Sequence, residues 1–341
     1  MKIGLVGYQG SGKSTLFEWL TGEPANPAMA HTGQSAMAPI PDERIEQLCA
    51  IYKPKKVTQA ALEIVDTPGL SRDHQGNAAR LGLIREAGCL VMVIPAFSGA
   101  DAAKELNSFA EDLLLADLEI VTGRVERLRE STKKPRPNRE QELADLAALE
   151  ELQAKLENGE FVPTSEMTED QRRATRSFRL LTEKPRLVVV NVADDETDLD
   201  QYRRVVPEGT PVIVSQLGLE VELGKMSPED RKEFEAEMQL LGPRKEEVIR
   251  QIMLASGQFT FFTAGEKEVR TWLLPIGGTA LDAAAGIHTD LAKGFIRASV
   301  MRVEDLVRLG SEREVKAQNL MRQEHRDYVV QDGDILLIHH N

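Results

Sequence analysis

Short apolar runs alternate with amphipathic stretches along the first hundred residues. Lys2–Val6 is an apolar run that leads into a glycine-rich segment, and Lys13–Leu20 opens a stretch with helical spacing. Further runs lie at Ala61–Val65, Cys89–Ile94, Leu187–Val190 and Val212–Val214. Those at Cys89 and Leu187 are continuous and rich in valine, as expected of parallel strands covered on both faces. The alternation predicts an α/β fold, a parallel sheet wrapped by helices, with ligands at the carboxyl ends of the strands.

From about Glu111 to Thr182 the pattern changes to one rich in Glu, Leu, Ala and Arg. Leu114, Leu118, Val121, Val125 and Leu128 are spaced 4, 3, 4 and 3, a coiled-coil seam, and Leu146, Leu149, Leu152 and Leu156 form a second stripe. Lys133-Lys134-Pro135-Arg136-Pro137-Asn138 separates the two, because neither proline suits a helix interior. An inserted antiparallel helical hairpin is expected. Its first arm, about Glu111–Ser131, would reach roughly 30 Å at ~1.5 Å per residue. Two helices laid flat on the sheet are the alternative.

Amphipathic helices are predicted over Pro228–Leu240 and Pro243–Ala255. Short strands follow at Phe259–Thr263, Val269–Leu274, Ile296–Val300, Tyr328–Val330 and Ile335–Ile338, and Asp332-Gly333 predicts a hairpin turn between the last two. The expected division is therefore residues 1–110 with 183–256, an insert at 111–182, and a small α+β part at 257–341.

A chain of 341 residues exceeds one core of ordinary size. Apolar residues make up 41% and charged ones 28%, a globular balance, and no apolar run reaches the ~18 residues needed to cross a bilayer. The N-terminal run leads straight into the glycine-rich loop, so no cleavable leader is expected. With Cys49 and Cys89 the only cysteines, a reducing cytoplasm is expected. The net charge of −13 argues against coating nucleic acid by bulk electrostatics. From Gly257 to Asn341, 10 Lys and Arg stand against 12 Asp and Glu; Lys293, Arg297 and Arg302 are either a local RNA-facing patch or a solvated face.

The chemistry is concentrated in the glycine-rich segment. Gly7-Tyr8-Gln9-Gly10-Ser11-Gly12-Lys13-Ser14 satisfies G-x-x-x-x-G-K-S between a strand and a helix. Glycines let successive N–H groups point at phosphate oxygens, and the helix starting near Lys13 aims its positive end at the same anion. Gly7, Gln9, Gly10, Ser11, Gly12, Lys13, Ser14 and Thr15 are thus candidate triphosphate-binding residues. Lys13 would reach the β and γ phosphates, and the Ser14 hydroxyl would ligate Mg²⁺.

Asp66-Thr67-Pro68-Gly69 follows a predicted strand. Asp66 would meet Mg²⁺ through a water, and the Gly69 N–H would bond the γ-phosphate, so that phosphate loss releases the loop beyond. Asn191-Val192-Ala193-Asp194 ends another strand, where a base-recognition loop belongs. Asp194 is able to accept two hydrogen bonds from guanine, Asn191 would brace the site, and Ser215-Gln216 is a candidate backbone contact to the base. Leu70 stands where many GTPases carry a glutamine that orients the attacking water. Either another group places the water, with His74 and Gln75 nearby, or hydrolysis is slow.

With these residues in view, the chain resembles the YchF / Obg-like ATPase family of translation-factor-class P-loop NTPases. The resemblance runs the full length. It rests on the phosphate loop, on Leu70 after D-x-x-G, on Pro39-Ile40-Pro41-Asp42-Glu43-Arg44, on Ala116-Asp117-Leu118 and on Lys184-Pro185. Its most specific part is C-terminal: Phe262-Thr263-Ala264-Gly265, Lys267-Glu268-Val269-Arg270-Thr271-Trp272, Ile287-His288-Thr289-Asp290, Lys293-Gly294-Phe295-Ile296-Arg297-Ala298 and Asp327-Tyr328-Val329-Val330-Gln331-Asp332-Gly333-Asp334 look like that family's TGS domain. The resemblance implies a P-loop NTPase domain, the helical insert and a TGS-like domain in a monomer. It also implies ATP hydrolysis, and association with ribosomes or ribosomal subunits through the insert and the TGS-like domain.

The chain departs from that family at several points. Gly10-Ser11 replaces the usual Asn-Val, Pro68 replaces Ala, and the loop after Leu70 is short. The switch threonine has Thr32 as its nearest counterpart, offered as a metal ligand. Asp194 stands where the family has a glutamate that disfavours guanine, so the resemblance implies ATP while the local chemistry allows GTP. A binding module with negligible turnover is the alternative reading.

Overall fold

The computed structural model describes residues 1–97, 99–227, 229–231 and 242–341. Up to Ser215 the chain forms β1 (Lys2–Val6), β2 (Gln34–Pro39), β3 (Lys56–Thr58), β4 (Ala61–Asp66), β5 (Cys89–Ala96), β6 (Arg186–Val192) and β7 (Val212–Ser215). One sheet runs in the order β2-β4-β1-β5-β6-β7. β1 pairs in parallel with β4 and β5, and β6 in parallel with β5 and β7. The valine-rich runs explain the middle of it, since every residue of β5 is buried. Each large apolar side chain placed there contributes roughly 1.5–3 kcal/mol of burial.

Helices α1 (Lys13–Thr21), α2 (Arg44–Tyr52), α3 (Asn77–Ile84), α4 (Ala102–Ser131) and α5 (Arg139–Glu157) follow in chain order. The described residues form two compact units, Met1–Ala36 with Glu63–Val248, and Met37–Leu62 with Ile249–Asn341. Residues 37–62, which the sequence pattern had grouped with the phosphate loop, thus fold with the C-terminal residues.

The expected hairpin starts earlier than its composition suggests. α4 begins at Ala102, where the Asp101 side chain accepts hydrogen bonds from the backbone N–H groups of Ala103 and Lys104. Its first half packs on the sheet through Leu106, Phe109 and Leu113. From Leu114 onward its seam meets Leu149, Leu152 and Leu156 of α5 in a separate cluster, closed by Val162, Met167 and Leu180. The flat and the independent arrangements each describe one half of the same 30-residue helix. At the changeover sits Asp117, fully buried, whose carboxylate accepts from Arg85 Nη1 (2.6 Å) and from the Thr182 N–H and hydroxyl (both 2.8 Å). Ala116-Asp117-Leu118 is therefore a structural tie between the insert and the strand that re-enters the sheet.

The second unit carries β8 (Gln258–Ala264), β9 (Glu268–Pro275), β10 (Phe295–Arg302), β11 (Arg322–Glu324) and β12 (Asp334–His340), in the order β11-β10-β12-β8-β9-β3. β10 lies antiparallel to β11 and β12, β8 antiparallel to β9, and β12 and β3 parallel to β8 and β9 respectively. Two expectations are corrected here. Tyr328–Val330 is no strand: it bridges to the segment before the helix Ala280–Ile287, through Ala280 N–H to Tyr328 O (2.8 Å) and Val330 N–H to Gly278 O (3.0 Å). Asp332-Gly333 turns the chain, but into β12, whose partners are β10 and β8. Local turn chemistry fixed the bend and long-range pairing chose the partner. Arg44 gathers the two family motifs of this unit: it donates to Asp42 (2.8 Å), the Thr260 hydroxyl (2.9 Å) and Asp332 (2.9 Å), and lies 5.0 Å above the Phe262 ring.

The helix expected at Pro243–Ala255 is present as Lys245–Ala255, while most of the one expected at Pro228–Leu240 lies outside the described residues. Among the described residues no helix is long and apolar enough to cross a membrane.

Candidate nucleotide-binding site

The loop between β1 and α1 is held open by backbone conformations that side chains resist. Gly12 has φ +101°, and a Cβ there would come within 2.3 Å of Asn191 Nδ2. That closeness is used: Asn191 Nδ2 donates to Ser11 O at 3.3 Å, so the end of β6 braces the loop. On the other side the D-x-x-G segment pairs with it, Gln9 N–H to Leu70 O at 3.0 Å and Leu70 N–H to Gly7 O at 3.1 Å. Gly69 approaches so closely that a Cβ would lie 2.7 Å from Lys13 Nζ and 2.8 Å from Gln9 N.

Lys13 is 6% exposed, and its ammonium donates to Tyr8 O at 2.8 Å. Burial pulls its pKa down to about 8, against the opposing pull of Asp66. A buried ammonium whose one printed hydrogen bond goes to a carbonyl is poised for a polyanion, which would add to the charge of Asp66. The Ser14 hydroxyl donates to Asp66 Oδ2 at 2.6 Å. Asp66 Oδ1 is buried without a hydrogen-bond partner, and burial lifts the carboxyl above its ordinary range. An orphaned carboxylate oxygen beside a serine hydroxyl fits a hydrated divalent cation shared with phosphates. Among the described residues no cluster of three or more His, Cys, Asp or Glu could hold a metal by itself.

Two cavities flank Lys13 and Ser14. The first, about 570 Å³, is lined by Gly10, Gly12, Lys13, Ser14, Thr15 and Phe97 and by the loop Asn191–Asp194 with Gly218. The second, about 440 Å³, continues past Gln9, Gly10, Lys13 and Ser14 to Asp66, Gly69, His31, Gln34 and Arg80. The first suits a base and sugar, the second a terminal phosphate and its metal. No sequence motif marks Phe97, His31 or Arg80. The aromatic directly after the β5 run was the one available signal, because a strand's carboxyl end is where ligands sit.

The helix α8 (Leu217–Lys225) shapes the base end, with α6 (Glu169–Thr175) and α7 (Asp200–Arg203) preceding it in the chain. Asp194 Oδ1 accepts from the Leu219 N–H at 3.1 Å, capping α8, whose own N-cap Gln216 makes no side-chain cap bond. Gln216 instead donates to Asp194 O (2.9 Å) and Glu196 O (3.2 Å), and Ser215 is fully buried. Ser215 and Gln216 support the base loop and do not line the cavity.

Two more candidates fall elsewhere. Thr32 donates weakly to Met29 O at 3.5 Å and lines a separate cavity of about 160 Å³ beside Thr67 and Pro68. His31 and Gln34, on either side of it, line the cavity beside Ser14 and Asp66, and Thr32 does not. His74, at φ +61°, is 70% exposed and sits 3.8 Å from Asp112 on α4, outside both cavities. Leu70 is fully buried in the sheet core with Tyr8 and Ile84, so its side chain faces away from the phosphate side.

Comparison with known proteins agrees with this geometry. Residues 2–122 match a family described as "50S ribosome-binding GTPase", and residues 259–341 match the YchF-GTPase C-terminal family, described as "Protein of unknown function (DUF933)". "Ribosome-binding ATPase YchF" of Escherichia coli O157:H7 is 34% identical over 358 residues, covering 98% of each chain. The chain belongs to the YchF / Obg-like ATPase family. "Obg-like ATPase 1" of Oryza sativa subsp. japonica is also 34% identical, over 366 residues that cover all of this chain and 92% of that one. The solved structure of the Schizosaccharomyces pombe YchF GTPase superposes with a TM-score of 0.87 at 26% identity, covering 99% of this chain and 97% of that one. In this YchF-family chain the hydrophobic residue after D-x-x-G is thus a core residue, and the cavity beside Ser14 and Asp66 takes its charged lining from Lys13, Asp66 and Arg80.

Proposed function

We propose that this chain binds ATP with Mg²⁺ and hydrolyses it slowly, as a nucleotide-dependent switch that associates with ribosomes or ribosomal subunits. The observation that carries the reading is the convergence of Lys13, Ser14, Asp66 and Gly69 on one cavity, with Asn191 bracing the loop between them. Lys13 and the loop N–H groups take the phosphates, Ser14 and Asp66 hold the metal, and the Gly69 N–H reads the γ-phosphate. The metal would neutralise developing phosphate charge.

ATP is preferred to GTP on two grounds. The relatives of 34% identity are named ATPases, and the Asp194 carboxylate that would read guanine already serves as a cap for α8. Ribosome association follows from the same printed names, with the helical insert and the TGS-like C-terminal part as the proposed contact surfaces, acting in the cytoplasm as a monomer. Phosphate release from ATP and from GTP, with and without ribosomes, beside Lys13→Ala, tests this. ATP turnover abolished by the substitution is expected. Tight binding without lysine-dependent turnover would favour the binding-module reading, for which the burial of Leu70 is the supporting observation.

A further inference from the structure

The burial of Leu70 leaves the transferred phosphoryl group without the residue that usually organises its attack. The cavity beside Ser14 and Asp66 offers a different kind of group. Arg80, the fourth residue of α3, lines it together with Lys13 and Gly69. Its guanidinium is half-buried and lightly tethered: Nη1 donates to Gln75 O and to Asn77 Oδ1, each at 3.2 Å, the long end of hydrogen-bonding distance. Among the described residues it makes no ion pair with a carboxylate, unlike Arg72 and Arg85 nearby, which are paired with Glu105 and Asp117. A guanidinium lining a phosphate cavity with no carboxylate in ion-pair contact, the Asp73 charge acting on it only from longer range, keeps its remaining donors for an incoming anion.

We propose that Arg80 is an arginine finger supplied in cis, a catalytic residue that contacts the γ-phosphoryl oxygens as they gain charge in the transition state. The step rests on the function proposed above. A water oxygen bonds to the γ-phosphorus, and the bond to the β–γ bridging oxygen breaks. Its electron pair goes to ADP, and the water's proton passes to the released phosphate. The planar fork of Arg80 suits two equatorial oxygens at once, and Lys13 lines the same cavity. Contacts of this kind strengthen as the reaction proceeds, so the residue raises turnover more than it raises ground-state affinity.

The test compares the full-length chain with R80A, R80K and R80Q. Affinity is measured for Mg-ADP alone and for Mg-ADP with aluminium fluoride, a mimic of the transferring phosphoryl group, alongside single-turnover phosphate release from ATP. R80A is expected to keep ADP affinity within about threefold, and to lose at least about thirtyfold in fluoride-complex affinity and in turnover, a conservative share of what arginine fingers supply. R80K should recover part of the loss, and added guanidinium should partly rescue R80A. Equal losses for both complexes, or a lowered melting temperature shared by R80A and R80Q, would show that Arg80 only braces the Gln75–Asn77 turn and would overturn the proposal. So would unchanged fluoride-complex affinity in R80A. A parent chain that binds no nucleotide overturns the proposed function and this inference together; a parent that hydrolyses ATP no faster than R80A overturns this inference alone.

Discussion

The Tyr8 hydroxyl donates a 2.8 Å hydrogen bond to the Asp112 carboxylate, joining the phosphate loop to α4 across 104 positions of sequence. Burial, then Asp112 itself, pushes the phenol pKa well up, so the proton stays on Tyr8. The same ring packs edge-on against Phe109 at 5.3 Å and under the Arg72 guanidinium at 4.4 Å. Arg72 is paired with Glu105, and His74 sits beside Asp112. Phosphate loop and post-Gly69 loop are thus both seated on the first half of the helix whose second half carries the hairpin.

Tyr8→Phe removes this bond and leaves Asp112 without its phenol partner. The expected cost is about 1.5–3 kcal/mol, the range for a hydrogen bond to a charged group. Urea denaturation of Tyr8→Phe, Asp112→Asn and the double variant measures it. Fully additive losses would show that the two side chains are not coupled.

Gly12→Ala places a methyl where Asn191 Nδ2 now lies and forces a residue with a Cβ into φ +101°. Nucleotide affinity is expected to fall at least tenfold, roughly 1.4 kcal/mol or more. Titration with a fluorescent ATP analogue reads this directly, and retained affinity would mean that the loop relaxes without moving Asn191.

Asp194→Ala tests the assignment of its carboxylate. As a helix cap it is expected to cost about 1 kcal/mol of stability on removal, with ATP affinity changed less than about threefold. If GTP binds tightly to the parent and its affinity collapses in the variant, the residue reads guanine instead.

Asp42 gives a pH dependence to the second unit. Burial alone would raise its carboxyl, but hydrogen bonds and charge from Arg44 outweigh that and hold it below the ordinary carboxylate range. A depressed folded-state value means the contribution is complete above the unfolded pKa, near 4, and is lost as pH falls below it. Stability followed from about pH 6 to pH 2.5 should decline over the lower part of that range. Asp42→Asn should be less stable at neutral pH and flatter below about pH 4; a parallel decline in both chains would remove Asp42 from the acid transition.

Leu149→Ala opens a cavity in the core shared by α4 and α5, where Leu149 is fully buried. A loss of about 2–5 kcal/mol is expected. Hydrogen exchange should speed up first beyond Leu114, with nucleotide affinity unchanged, because Leu106, Phe109 and Leu113 keep the helix root on the sheet core.

The sequence by itself determined the parts of this protein whose information is local. The apolar run Lys2–Val6, the glycines behind it and Lys13-Ser14 specify strand, anion loop and helix in consecutive residues. Asp66 and Asn191 could be placed because each directly follows the apolar core of a buried parallel strand. The seam spacing foretold which faces of α4 and α5 meet. Only the tertiary structure decided what depends on distant partners. β3 is three largely exposed residues, and only pairing with β9 makes it a strand. Tyr328–Val330 has the composition of a strand but spends its hydrogen bonds on Gly278 and Ala280. Thr32 and His74 have the right chemistry near the right motifs and lie outside the two cavities beside Lys13, while Arg80 and Phe97 reach those from segments with no motif of their own. Periodicity records which side of an element avoids water. It does not record which other element arrives there, because that choice is made by chain closure and packing across the whole fold.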